Sequence, residues 1–259
     1  MKIVQIGAGA VAESILAALE KVGNTPIALY NRSISRAQEL KEKYASDLFI
    51  TNQLNELPTD ADCYLFSLKD DAIALVASAM PSTKGVWLHT AAARSSDLFA
   101  PYHNDYGLFY PFNTFTRSFP IELQGTPLFI EYNNFETQQT ILSLAALLGM
   151  KAKESDVTSR TKLHLAAVFA CNFTNHLLTI ADEILSDAEG LSFDELRPLL
   201  RETFRKVDFL SPLEAQSGPA RRHDDETIRK HHLILKEYPE ILTAIYDLLT
   251  HSIKDHYPI

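Results

Sequence analysis

Four groups of residues in this chain have the types and spacing to do chemistry. The first is Gly7-Ala8-Gly9-Ala10-Val11-Ala12, directly behind the apolar run Ile3-Val4-Gln5-Ile6. Strand, glycine turn and helix in that order are the fingerprint of a dinucleotide site. Gly7 permits the tight turn, Gly9 lets the backbone approach a pyrophosphate, and Ala12 is small enough for the place where helix meets strand. The helix N-terminus stabilises the pyrophosphate charge. The second group is Asn31-Arg32-Ser33, with Arg36 one helical turn on, at the end of the next apolar run. No carboxylate stands where an NAD site usually places one for the ribose 2′-hydroxyl. Asn31 can bond the ribose without repelling a phosphate, Arg32 can stack on adenine and pair with a 2′-phosphate, Ser33 adds a hydroxyl, and Arg36 closes the clamp. The expected cofactor is therefore NADP, ahead of NAD and FAD.

The third group lies in a long apolar segment, where His164, Val168, Asn172 and Asn175 recur at helical spacing. His164 is the leading acid/base candidate, because imidazole exchanges protons near neutrality. Asn172 is expected to orient a substrate carbonyl or amide. Each, taken singly, also reads as a satisfied core histidine or an interhelical asparagine. The fourth group is Gly218-Pro219-Ala220-Arg221-Arg222-His223-Asp224, a rigid polar loop. Arg222 and Asp224 are its substrate-binding candidates: Arg222 either binds an anionic substrate group or pairs with Asp224 at a helix entry.

The elements that position these groups fall into two patterns. Up to about residue 150, short apolar runs alternate with helical segments: 26–30, 48–50, 62–67, 85–89, 107–110 and 127–130 read as strands, and 35–44, 73–80 and 135–148 as helices. That alternation predicts a mostly parallel, doubly wound sheet covered on both faces. Ligands of such a sheet bind beyond the carboxyl ends of its strands. Ser67, Leu68 and Lys69 at one strand end and Thr90 at the next are thus further cofactor candidates, with His89 a second-choice acid/base near the nicotinamide. Tyr110-Pro111-Phe112-Asn113-Thr114-Phe115 ends the next strand. Beyond residue 157 everything reads helical: 158–188 closed by Gly190, then 193–206, 224–237 and 240–253. The expected fold class is an α/β Rossmann domain over 1–154 followed by an all-α domain over 155–259.

The net charge of -9 disfavours nucleic acid and anionic membranes as partners. With the first strand beginning at Lys2, no leader segment is expected, nor any apolar run long enough to span a bilayer. Cys63 and Cys171 lie in apolar segments and read as reduced core thiols of a cytoplasmic protein. No cysteine or histidine spacing suggests a metal.

The chain resembles the 6-phosphogluconate dehydrogenase-like superfamily. Within it, the chain is most similar to proteins held to be NADP or deazaflavin-dependent NADP oxidoreductases with a C-terminal helical domain of unknown function. The glycine turn and Asn31-Arg32-Ser33 carry the wider resemblance; His164-Leu165-Ala166-Ala167 with Asn172-Phe173, and Gly218-Pro219 with Arg222 and Asp224, carry the narrower one. Three positions depart from it. Val168 stands where hydroxyacid dehydrogenases of the superfamily carry a catalytic lysine. Ala91-Ala92-Ala93 replaces a usual Ser-Gly, and His223 replaces a usual glycine. The resemblance implies hydride transfer between NADP(H) and a small carbonyl or imine held between the domains, in a homodimer formed through the helical domain. A non-catalytic NADP-binding sensor or scaffold is the rival reading. A methyltransferase ranks below both, because an adenosyl ligand has free ribose hydroxyls that a carboxylate would normally bind.

Overall fold

A computed structural model of the protein describes residues 1–258. The chain divides into two compact units, Met1–Asn175 and His176–Ile259.

The first unit begins with β1 (Ile3–Ile6), α1 (Ala10–Lys21), β2 (Ala28–Tyr30), α2 (Ile34–Tyr44), β3 (Phe49–Thr51), β4 (Cys63–Phe66), α3 (Asp70–Ser78) and β5 (Val86–His89). It continues with β6 (Tyr106–Pro111), β7 (Pro127–Tyr132), α4 (Phe135–Leu147), β8 (Lys151–Glu154) and α5 (Val157–Ala167). The eight strands form one sheet in the order β3-β2-β1-β4-β5-β6-β7-β8. Every pairing is parallel except β6 with β7, where Gly107 faces Tyr132 and Pro111 faces Leu128. The order reverses direction between β1 and β4, the switch point at which doubly wound sheets bind nucleotides. Side chains of β1 alternate between cores: Ile3 packs with Ile15 and Leu19 of α1, whereas Val4 and Ile6 pack with Ile73 of α3, Trp87 and Phe99. A strand buried on both faces reads as a continuous apolar run, which is why IVQI and CYLF look alike in sequence.

Strand β8 departs from the expected pattern. Its sequence, KAKE, is exposed at all four positions. It is an edge strand held by its backbone register to β7, Pro127 opposite Lys151, and charged residues suit an edge that must not recruit another chain.

Residues 157–186 form one helix of 30 residues, with a π-helical segment, Val168–Phe173, between α5 and α6 (Thr174–Ser186). A π turn widens the helix and is often found at functional sites. By length and hydropathy this helix could cross a membrane, contrary to the sequence expectation, because the apolar residues are spread among polar ones and not in one run. The first unit reaches past residue 154 to Asn175, since α5 is anchored to the sheet by Arg160.

The second unit continues with α7 (Arg197–Val207), α8 (Pro212–Ala215), α9 (Asp225–Leu235) and α10 (Glu240–His256). Ser192 with Glu195 and Ser211 with Glu214 form reciprocal capping boxes. The only strongly buried apolar side chains described here are Ala220, Ile228 and Leu235. Cys171, expected in a core, is exposed, whereas Cys63 is buried and its thiol is pushed up to about 12 by burial.

Candidate functional site

The glycine turn joins β1 to α1 at the switch point. Gly7 has φ of 105°, donates its N–H to Tyr30 O, and lies so close to Ser67 O that a Cβ there would collide with it. Gly9 caps α1 with no side-chain cap, and a Cβ at Gly9 would meet nothing within 4 Å. The two glycines therefore do different work. Gly7 lets the turn fit its neighbour strand; Gly9 leaves open space over the free N–H groups of a helix start, the arrangement that receives a phosphate.

Asn31-Arg32-Ser33 follows β2, Ser67-Leu68-Lys69 follows β4, and Thr90 follows β5. These segments flank the glycine turn at the same sheet edge because β2, β1, β4 and β5 are adjacent and parallel. Asn31 Nδ2 donates to Ser33 O at 2.8 Å, which shapes the turn. Arg32 is exposed and pairs with no carboxylate among the described residues. Ser67 is nearly buried, and its Oγ has no partner among the described residues. The open space at Gly9, the orphaned Ser67 hydroxyl and the free Arg32 fit an anionic dinucleotide carrying a further phosphate.

Arg36 is a correction. It was expected to clamp the cofactor, but its guanidinium is already bound: Nε to Ala8 O at 3.2 Å, Nη1 to Glu39 at 2.7 Å and Nη2 to Glu13 at 2.5 Å. It braces the glycine turn from below. Glu13, 1% exposed, is the hub. Burial alone would raise its pKa, but the Ser118 N–H, Lys43, Tyr44 and Arg36 outweigh burial and hold the carboxyl at about 2.

His89 is a second correction. It is fully buried, and its Nδ1 accepts the Ala91 N–H at 3.2 Å. Burial first, and the Arg160 charge next, push it down to about 4, so it stays neutral. The ring shapes the turn after β5, and a neutral ring of lowered pKa is poorly suited to donate a proton; its buried Nε2 has no partner among the described residues.

Sequence reasoning missed Arg160. This arginine of α5 is fully buried. It donates to Ala92 O at 3.2 Å and Arg94 O at 3.0 Å, pinning residues 91–94 beyond β5, and to Ser155 O at 2.7 Å. Its charge is met by Glu131 of β7 at 2.7 Å. Burial raises the Glu131 pKa, but the Ser96 hydroxyl, the Ser96 N–H and Arg160 bring it below the ordinary value. A buried arginine needs such full satisfaction. Nothing in the sequence marked it, since a polar residue in the first turn of a helix is ordinary.

His164 of α5 is exposed, and its Nδ1 lies 3.3 Å from the hydroxyl of Tyr110, at the end of β6. Asn172 is exposed and lies in the π segment, so its register with His164 is not that of an unbroken α-helix. In the second unit, Asp224 is the N-cap of α9 and accepts from Thr227 N at 3.1 Å and Thr227 Oγ1 at 2.8 Å. That is structural work: both carboxylate oxygens already accept from Thr227. Arg222 is 3.9 Å from Asp224 and largely exposed. His223 has φ of 53°, a left-handed conformation that glycine adopts more readily; its Nε2–H donates to Tyr257 O at 2.6 Å.

Residues 1–82 match the shikimate/quinate 5-dehydrogenase family model, and residues 126–253 match a domain of unknown function, DUF2520. A protein of Bacteroides fragilis described as a candidate NADP oxidoreductase is 34% identical, over 98% of each chain, with a TM-score of 0.91. A reductive aminase from Aspergillus terreus, solved with NADPH and ethyl-5-oxohexanoate, shares the fold at 16% identity and a TM-score of 0.73, over 99% of this chain and 94% of that one. A pyrroline-5-carboxylate reductase from Coxiella burnetii does so at 17% identity and 0.58, over 100% and 99%. Among curated proteins, none matches the chain.

Proposed function

The chain belongs to the family of NADP oxidoreductases in which a Rossmann domain precedes a DUF2520 helical region, and from that premise we propose that it transfers hydride between NADP(H) and a small carbonyl or imine. The carrying observation is that four adjacent parallel strands end at one sheet edge, where the glycine turn leaves open space at Gly9 and the segment after β2 carries the exposed Arg32. Gly7, Ala8, Gly9, Ala10 and Val11 would hold the pyrophosphate, and Asn31, Arg32 and Ser33 the phosphorylated ribose. Ser67, Leu68, Lys69 and Thr90 would follow the cofactor toward the nicotinamide. When bound, NADPH supplies the hydride. His164 supplies protons, Asn172 orients the substrate, and the exposed Arg222 anchors an anionic group.

The test of the cofactor is Arg32→Ala. NADPH affinity should fall about 10- to 100-fold, the scale of one charge-assisted phosphate contact, with NADH affinity little changed. Equal effects on the two would overturn the assignment. If the protein oxidised NADPH with no member of a ketone, imine and deazaflavin panel, the sensor reading would replace the enzyme.

The proposed macromolecular partner is a second copy. Leu165, Phe169, Phe173 and Leu177 recur every four residues along the long helix, and Phe169 is 64% exposed. Such a stripe, interrupted by polar residues, suits another protein surface. A monomeric mass by light scattering would rule out the homodimer. Two free thiols, one exposed, fit a reducing cytoplasmic location.

A further inference from the structure

Strand β6 lies parallel to β5 with His89 opposite Leu108, so β6 runs on past the end of β5 and carries Tyr110 two residues beyond it, at the sheet edge where the segment after β5 begins. Its ring sits against Phe112 at 6.1 Å and Phe129 at 6.4 Å, which fixes its direction. The phenol is half-buried. Burial raises its pKa and the Arg160 charge opposes that, with burial prevailing, so the hydroxyl keeps its proton. The exposed imidazole of His164 points its Nδ1 at that hydroxyl. Arg160, on the same helix and paired with Glu131 of β7, is the charge that acts on Tyr110.

A half-buried phenol is a poor terminus for a proton chain, because giving up its proton would leave a tyrosinate where burial disfavours charge. It is a good intermediate, provided a group behind it restores the proton. An imidazole open to water is suited to that role. We propose that Tyr110 hands the substrate its proton and that His164 reloads Tyr110, so that the substrate, on the oxidoreductase reading above, is a neutral aldehyde or ketone.

The hydride supplied by NADPH forms the new C–H bond at the carbonyl carbon. The C=O π pair takes the Tyr110 proton and becomes an O–H bond. The phenolate oxygen then takes the Nδ1 proton of the His164 imidazolium, and the neutral imidazole regains a proton from water. The sum is one hydride and one proton added across C=O. A preformed iminium would need no such proton, since hydride alone neutralises it.

Two measurements test this. The first needs no turnover: NMR of the full-length protein with labelled histidines, His164 being assigned by its loss in His164→Asn. Tyr110→Phe should change the chemical shift of His164 Nδ1, the atom that faces the phenol; an unchanged Nδ1 signal overturns the pair. The second compares a neutral ketone, ethyl-5-oxohexanoate, with a permanently charged N-methyl-3,4-dihydroisoquinolinium, both with NADPH. In Tyr110→Phe the ratio of ketone to iminium kcat should fall about 100-fold, the scale of general acid catalysis. An unchanged ratio overturns the proposal, as does a collapse of it in His164→Asn but not in Tyr110→Phe, which would put His164 against the substrate. A wild type that reduces the iminium alone overturns the proposal and leaves the oxidoreductase standing; reduction of neither overturns both.

Discussion

Gly7 and Gly218 have nearly the same φ, 105° and 103°, in turns of the first and second units respectively. Their surroundings are opposite. A Cβ at Gly7 would run into Ser67 O, whereas at Gly218 it would meet nothing within 4 Å. The contrast extends to charge. In the first unit, Glu13 and Arg160 are at most 1% exposed and bound by groups distant in sequence. In the second, the pairs Arg197–Asp194, Arg205–Glu202 and Lys230–Glu226 are exposed and three or four residues apart. The first unit fixes its glycine turn through contacts between strands; the second adds caps and neighbours along a helix to a few longer reaches such as Lys254 to Asp225. A cofactor rim needs the first construction, because its turns must hold their places before the ligand arrives.

The sharpest break of that comparison is at the glycines. Gly7→Ala carries a backbone penalty of about 1–3 kcal/mol at positive φ, and it also displaces the Ser67 carbonyl. The expected outcome is protein that does not fold, read by circular dichroism. Gly9→Ala should fold with an unchanged Tm and lose NADPH binding, because its methyl enters the open space alone. A Gly9→Ala protein that bound NADPH normally would place the pyrophosphate elsewhere.

The next largest effect belongs to Arg160. Arg160→Met leaves the half-buried Glu131 beside an apolar chain and frees the carbonyls of Ala92 and Arg94. Breaking a buried pair in this way costs about 3–5 kcal/mol. Restoring neutrality with Arg160→Met/Glu131→Gln should recover part of the loss in urea unfolding. A single variant as stable as wild type would show that residues 91–94 do not depend on this arginine.

Legibility in the sequence followed the same division. The strands β1, β4 and β5, the glycine turn and the start of the helical region were readable because burial on both faces writes itself as an apolar run. The edge strand β8 was not, since KAKE has no apolar face and its place is dictated by β7. Arg36 and His89 were read as ligands of the cofactor or substrate because their positions in the chain are right for it. Their actual partners, Glu13 and the Ala91 N–H, are set by packing that no local pattern encodes. The Tyr110–His164 contact spans 54 residues of sequence, so each residue was visible and the pair was not.

Glu13 tests the first unit by pH. Its pKa falls from the ordinary 4.5 to about 2 on folding, so the folded state binds its proton less readily than the unfolded chain. The stability this contributes, on the order of 3 kcal/mol, is fully present above about pH 4.5 and is lost as the pH drops toward 2. Glu13→Gln should therefore be less stable at pH 7 and show a shallower acid limb. Parallel acid limbs in the two proteins would mean that the Ser118, Lys43, Tyr44 and Arg36 contacts do not discriminate between charged and neutral Glu13.

The smallest effects are expected in the second unit, where they separate a cap from a surface charge. Asp224→Ala removes the acceptor for Thr227 N at the start of α9, a loss of about 1 kcal/mol for an N-cap. Arg222→Ala gives up only a 3.9 Å approach between exposed groups, worth about 0–0.5 kcal/mol. If stability were the sole business of this loop, Arg222→Ala would leave KM unchanged and lower Tm only slightly. A rise in KM for anionic substrates with no change in Tm is the outcome expected of a residue kept free for a ligand. The reverse pattern, lost stability with unchanged KM, would make the loop wholly structural, held by the Asp224 cap and the His223–Tyr257 bond.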